Sequence, residues 1–102
     1  MIGYNKLVRN RIPDIMTKNG EQAHFSVLND ADYLREPDKE LTEETAEYQE
    51  SKELEELADI LEVVEAICAA RGHSAEELRA LREKKRAERG GFEKRLFLEY
   101  KE

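Results

Sequence analysis

Residues 52–71 limit the fold more than any other part of the chain. At a helical period of about 100° per residue, Leu57, Ile60, Leu61, Val63, Val64, Ile67 and Cys68 fall on one broad apolar arc. With Glu56 as zero, Ile67 lies at roughly 20°, Ile60 at roughly 40° and Val63 at roughly 340°, so Glu56 points into that arc. Asp59 falls at its border, between Val63 and Ala66, while Glu55, Glu62 and Glu65 take the opposite, wet side. An amphipathic helix buries its apolar face against another element. An ionised carboxylate carried into that face without a partner is costly or becomes protonated. The fold must therefore bring a cation to Glu56 and Asp59. Lys or Arg can serve, but few basic residues lie nearby in sequence, and the acidic surroundings favour a hard divalent metal.

The preceding segment repeats the theme. Asn29-Asp30 caps a helix predicted over residues 31–51, which Pro37 must bend, restart or break. Leu41, Thr45 and Tyr48 mark its inward side, Glu44 sits beside them, and Glu40 and Glu47 lie just beyond on the same flank. Residues three apart are neighbours on a helix surface, so Glu44 can converge with Glu47, and Glu56 with Asp59. The turn near Ser51-Lys52 is short, which makes the helices antiparallel neighbours. Glu44, Glu47, Glu56 and Asp59 then meet in one patch. All-oxygen ligation suits Mg²⁺, with Mn²⁺ as a substitute, and not zinc. His24 and His73 are isolated, and Cys68, among Ile67, Ala69 and Ala70, reads as a small core residue. The alternative for the acids is a solvated or salt-bridged bundle.

The rest of the chain is read from local signals. Residues 3–9 have no helical period and read as extended or irregular. Pro13 fits the first turn of a short helix over residues 12–18, stopped by Asn19-Gly20. Residues 23–28 alternate as a strand candidate. Gly72 closes the 52–71 helix, and Ser74-Ala75-Glu76-Glu77 has capping-box spacing and opens a helix to about Arg89, ended by Gly90-Gly91. Alternation around residues 94–100 suggests a short strand or an extended tail. The expected fold is an all-α antiparallel bundle, with short extended or strand segments near 23–28 and 94–100. At 102 residues it is a single domain, 1–102, whose small core is expected to be completed by a second copy.

Charged residues make up 40% of the chain and aromatics 7%, far from a β-sandwich. No run of about 18 apolar residues and no signal-type leader is present, so no membrane association is expected. The single cysteine permits no intrachain disulfide and fits a reducing cytoplasm. A net charge of −7 argues against stable nucleic-acid binding. Its distribution says more. Acids crowd the middle, while bases crowd residues 79–95 and a small cluster of Lys6, Arg9 and Arg11. Lys85 and Arg89, four apart, share a helix face, as do Arg82 and Lys85. With Lys6 and Arg9 they are candidates to hold a polyanion beside the metal. No Walker-type glycine loop is present, and Gly90-Gly91 reads as a helix stop.

Glu43-Glu44-x-x-Glu47 followed by Glu56-x-x-Asp59 resembles the signature of the all-α nucleotide pyrophosphohydrolases, the MazG-like proteins and their relatives. The opening run over residues 4–13 and Glu88-Arg89-Gly90-Gly91-Phe92 are similar to a small subgroup labelled phosphoribosyl-ATP pyrophosphohydrolase-like. The resemblance spans nearly the whole chain, with three motifs in order. It departs in a short gap between Glu47 and Glu56, and in Asn10 and Arg11, where an acid and a lysine are expected. The resemblance implies a Mg²⁺-dependent hydrolase that cleaves nucleoside triphosphates between the α- and β-phosphates, serving nucleotide house-cleaning. It makes Glu44, Glu47, Glu56 and Asp59 the metal ligands, with Glu43 outside that set and Glu40 a helper. Either Glu44 or Glu47 orients the attacking water or takes its proton. On that resemblance Lys6, Arg9, Lys85 and Arg89 are expected to contact phosphate, and a homodimer or dimer of dimers is expected. The alternatives are a non-catalytic metal- or nucleotide-binding or regulatory module, and a purely structural helical adaptor.

Overall fold

The computed structural model describes residues 3–102. Four helices follow one another: α1 (Ile12–Lys18), α2 (Asp30–Ser51), α3 (Leu54–Ala70) and α4 (Ala75–Arg89). Among the described residues there is no strand, so the all-α expectation holds. The strand candidates at 23–28 and 94–100 are not strands. A strand needs a ladder partner, and neither segment has one. Val27 is 99% exposed, and Phe97 and Leu98 are exposed as well. No described helix is long and apolar enough to cross a membrane.

Local chemistry accounts for most of the helix ends. The Asn29 side chain accepts a 2.8 Å hydrogen bond from the Asp32 amide and starts α2. Pro37 does not interrupt the helix, which runs unbroken to Ser51. Proline leaves one helical carbonyl without its amide partner, yet Pro37 is the one fully buried side chain among the described residues. Lys52 then ends α2 in a left-handed conformation (φ 59°), its amide donating to the Tyr48 carbonyl and its ammonium lying 5.4 Å from the Tyr48 ring centroid. Glu53 is extended, and α3 starts at Leu54, later than the sequence pattern suggests. At the far end of α3, Gly72 (φ 82°) turns the chain, and the His73 amide donates to the Cys68 carbonyl. Ser74 and Glu77 form the expected reciprocal capping box on α4.

The two-residue connection folds α3 back along α2, and this pair is the main packed unit. Five of the seven residues of the α3 arc (Ile60, Val63, Val64, Ile67 and Cys68) are half-buried. An edge toward its N-terminal end is open: Leu54, Leu57 and Leu61 are exposed, Leu54 by 81%. α4 touches α3 and makes no contact with α2.

No apolar side chain of the described residues except Pro37 is buried. The accessible surface is 9723 Å², where a compact monomer of this mass exposes about 6,000 Å². The radius of gyration is 18.0 Å, against about 13 Å for a compact chain of 100 residues. One copy by itself therefore lacks a closed core.

Candidate metal centre

Glu44 on α2 and Glu56 and Asp59 on α3 each present a carboxylate oxygen, and these oxygens all lie within 4.8 Å of one another. The antiparallel α2–α3 hairpin brings this about: Glu44 lies two turns before the end of α2, and Glu56 lies in the first turn of α3. All three side chains are half-buried. The remaining sequence candidate, Glu47, is exposed one turn further along α2. It stands close enough that its charge raises the pKa of both Glu44 and Glu56.

The electrostatics are those of acids without enough counter-charge. Burial, then the charges of Glu47 and Asp59, push Glu44 up to about 6. Desolvation, then the same two charges, raises Glu56. One Glu44 oxygen, Oε2, is buried with no hydrogen-bond partner. Thr45, next along the chain, offers nothing, since its hydroxyl donates to the Leu41 carbonyl at 2.8 Å. Three carboxylates at this spacing, one of which carries a buried and unpartnered oxygen, fit a hard divalent cation such as Mg²⁺. The group contains no thiolate or imidazole, and His73 is engaged elsewhere, with Glu77 at 3.0 Å.

The N-terminal cations are placed differently from the simplest expectation. Arg9 donates from Nη2 to Asp59 Oδ1 at 2.8 Å, across 50 positions of sequence. Lys6 lies 3.4 Å from Glu43 and 4.0 Å from Glu40. The Glu40 charge is the main cause that raises the Lys6 pKa. Glu40 itself is raised, because burial outweighs the help from Lys6. A depression of about 130 Å³ beside this contact is lined by Tyr4, Asn5, Lys6, Glu36, Glu40 and Glu43, among others. A larger groove of about 460 Å³ runs along α1 past Arg11, Asp14 and Lys18, but no acidic cluster opens onto it. The basic partner that seemed to be missing near Asp59 thus exists. It comes from the chain's start, where no local pattern announces it.

Lys85 and Arg89 lie on the exposed outer part of α4 and form no ion pair among the described residues. Their helix does not reach α2, which carries Glu44 and Glu47. At the end of α4, Arg86 pairs with Glu93 at 2.6 Å, and Gly90 (φ 79°) makes the turn between them. No protein-family model, curated protein or solved structure matches the chain.

Proposed function

We propose that this chain is a magnesium-dependent nucleoside triphosphate pyrophosphohydrolase of the MazG-like kind. It would release a nucleoside monophosphate and pyrophosphate. The observation that carries the reading is the convergence of Glu44, Glu56 and Asp59 within 4.8 Å, with a buried oxygen of Glu44 left unpartnered. The order of motifs along the chain supports it. Mg²⁺, or Mn²⁺ in its place, supplies charge neutralisation of the phosphates and a lowered pKa for a bound water. Glu44, Glu56 and Asp59 hold the metal. Glu47, exposed at the rim, orients the attacking water or accepts its proton, and Glu44 is the other candidate for that role. The water oxygen forms a bond to phosphorus, the α–β anhydride bond breaks, and pyrophosphate leaves. No Ser–His or Cys–His pairing is required. Arg9, paired with Asp59, and Lys6, beside Glu40 and Glu43, are the cations assigned to the phosphates in this reading.

The active form in this reading is a homodimer or a dimer of dimers. Support comes from the excess surface of a single copy and from the open apolar edge of Leu54, Leu57 and Leu61. Packing a second copy there would close the core and give the Lys85–Arg89 face of α4 a site to serve. Cytoplasmic nucleotide house-cleaning is the matching role.

The test is incubation with Mg²⁺ and a panel of nucleoside triphosphates, standard and damaged, together with phosphoribosyl-ATP. Monophosphate plus pyrophosphate is the expected product pair. Diphosphate plus orthophosphate would overturn the assigned bond. No turnover, with Mg²⁺ still raising the melting temperature, would favour a metal- or nucleotide-binding module.

A further inference from the structure

Arg9 and Lys6 hold the N-terminal segment across the acidic face of the α2–α3 hairpin. The two contacts differ in kind. Lys6 meets Glu40 and Glu43, which lie outside the carboxylate triad, whereas Arg9 donates directly to Asp59, a member of it. The Arg9 carbonyl accepts a 3.1 Å hydrogen bond from the Ile12 amide at the start of α1, a local turn that does not involve Asp59. The Arg9 side chain can therefore leave Asp59 with this turn intact.

We infer that Arg9 is a resident counter-ion of the triad, displaced from Asp59 by the divalent cation and thereby freed to engage the phosphates of the nucleotide. This rests on the metal-centre reading above. Arg9 is 57% exposed and Asp59 38% exposed, and a solvated pair of this kind holds its partners only weakly. That is weak enough to yield to a dication gripped by several carboxylates, yet sufficient to neutralise Asp59 when no metal is present. The released guanidinium suits phosphate, because its planar fork pairs with two phosphate oxygens at once. Arg9 thus couples metal entry to substrate capture: it weakens binding of the metal alone and strengthens binding of nucleotide once the metal is in place.

The test is titration of the full chain with Mn²⁺ alone, without nucleotide, reading free Mn²⁺ by electron paramagnetic resonance. Wild type is compared with Arg9→Gln and Lys6→Gln. Both variants lose one positive charge from the same segment, but only Arg9 touches the triad. Arg9→Gln is expected to bind Mn²⁺ about two- to five-fold more tightly than wild type, the range open to an exposed ion pair, with Lys6→Gln changing less. In a second titration, with inorganic tripolyphosphate on the Mn²⁺-saturated protein, Arg9→Gln is expected to bind more weakly than wild type. Equal Mn²⁺ affinity in wild type and Arg9→Gln, or an equal gain in Lys6→Gln, overturns the inference and leaves the metal centre standing. Absence of Mn²⁺ binding in every chain overturns the metal centre, and the inference with it.

Discussion

Glu44 on α2 and Asp59 on α3 present carboxylate oxygens within 4.8 Å of each other, and the Asp59 charge helps to raise the pKa of Glu44. Two carboxylates this close disfavour each other's charged form, so a cation or a proton between them is stabilising. Arg9 meets part of that need at Asp59, and the buried Oε2 of Glu44 remains unmet.

The strain on Glu44 should be visible in the pH dependence of stability. Its ordinary value is 4.5, and in the fold it stands at about 6. Between these values the folded protein holds a proton that the unfolded chain has released. Stability contributed by Glu44 therefore falls as pH rises through that window and is level above it. In EDTA, the melting temperature of wild type relative to Glu44→Gln is expected to fall across this range. Saturating Mg²⁺ should remove the fall, because the metal binds the deprotonated form. A wild-type-minus-variant difference that is flat with pH in EDTA contradicts the placement of Glu44.

The open edge of α3 leads to an expectation about assembly. Leu57→Asp or Leu61→Asp places a charge where a second copy is proposed to pack, and should turn an oligomer into a poorly folded monomer. Sedimentation measures the first effect and far-ultraviolet circular dichroism the second. The wild-type melting temperature should also rise with protein concentration, since association stabilises only the folded form. A wild type that sediments as a monomer with a concentration-independent melting temperature would rule this assembly out.

The capping box of α4 can be tested apart from the metal. The Ser74 hydroxyl accepts from the Glu77 amide at 3.1 Å, and hydrogen bonds with His73 first, then Ser74, lower the Glu77 pKa. Ser74→Ala should cost about 1 kcal/mol of stability in a denaturant titration, and Ser74→Asp should restore most of it. Mn²⁺ binding should be unaffected by either change.

What could be read from the sequence was local or periodic. Asn29, Ser74 with Glu77, and Gly72 announced helix ends because a cap is satisfied within a few residues. Glu44, Glu56 and Asp59 stood out because the helical period placed them against an apolar stripe and the connection between the helices is short. The failures have physical reasons too. Alternation at 23–28 describes a strand only if a neighbouring strand pairs with it, and none does. Lys52 adopts a left-handed turn that glycine would normally mark. Pro37 sits within an unbroken helix because tertiary burial overrides its local preference. The Arg9–Asp59 contact spans 50 positions, and no pattern within one helix encodes it.

The central claim is tested most directly by pyrophosphate release from a nucleoside triphosphate, measured with Mg²⁺ and with EDTA. Wild type is set beside Glu56→Gln and Asp59→Asn, two near-isosteric changes that each remove a charged oxygen donor. Release by wild type with Mg²⁺, lost in EDTA and reduced at least about a hundredfold in each variant, is the predicted result, on the scale of losing a principal electrostatic contact. Release that persists in EDTA, or that survives both substitutions, would contradict a metal-dependent site built on these carboxylates.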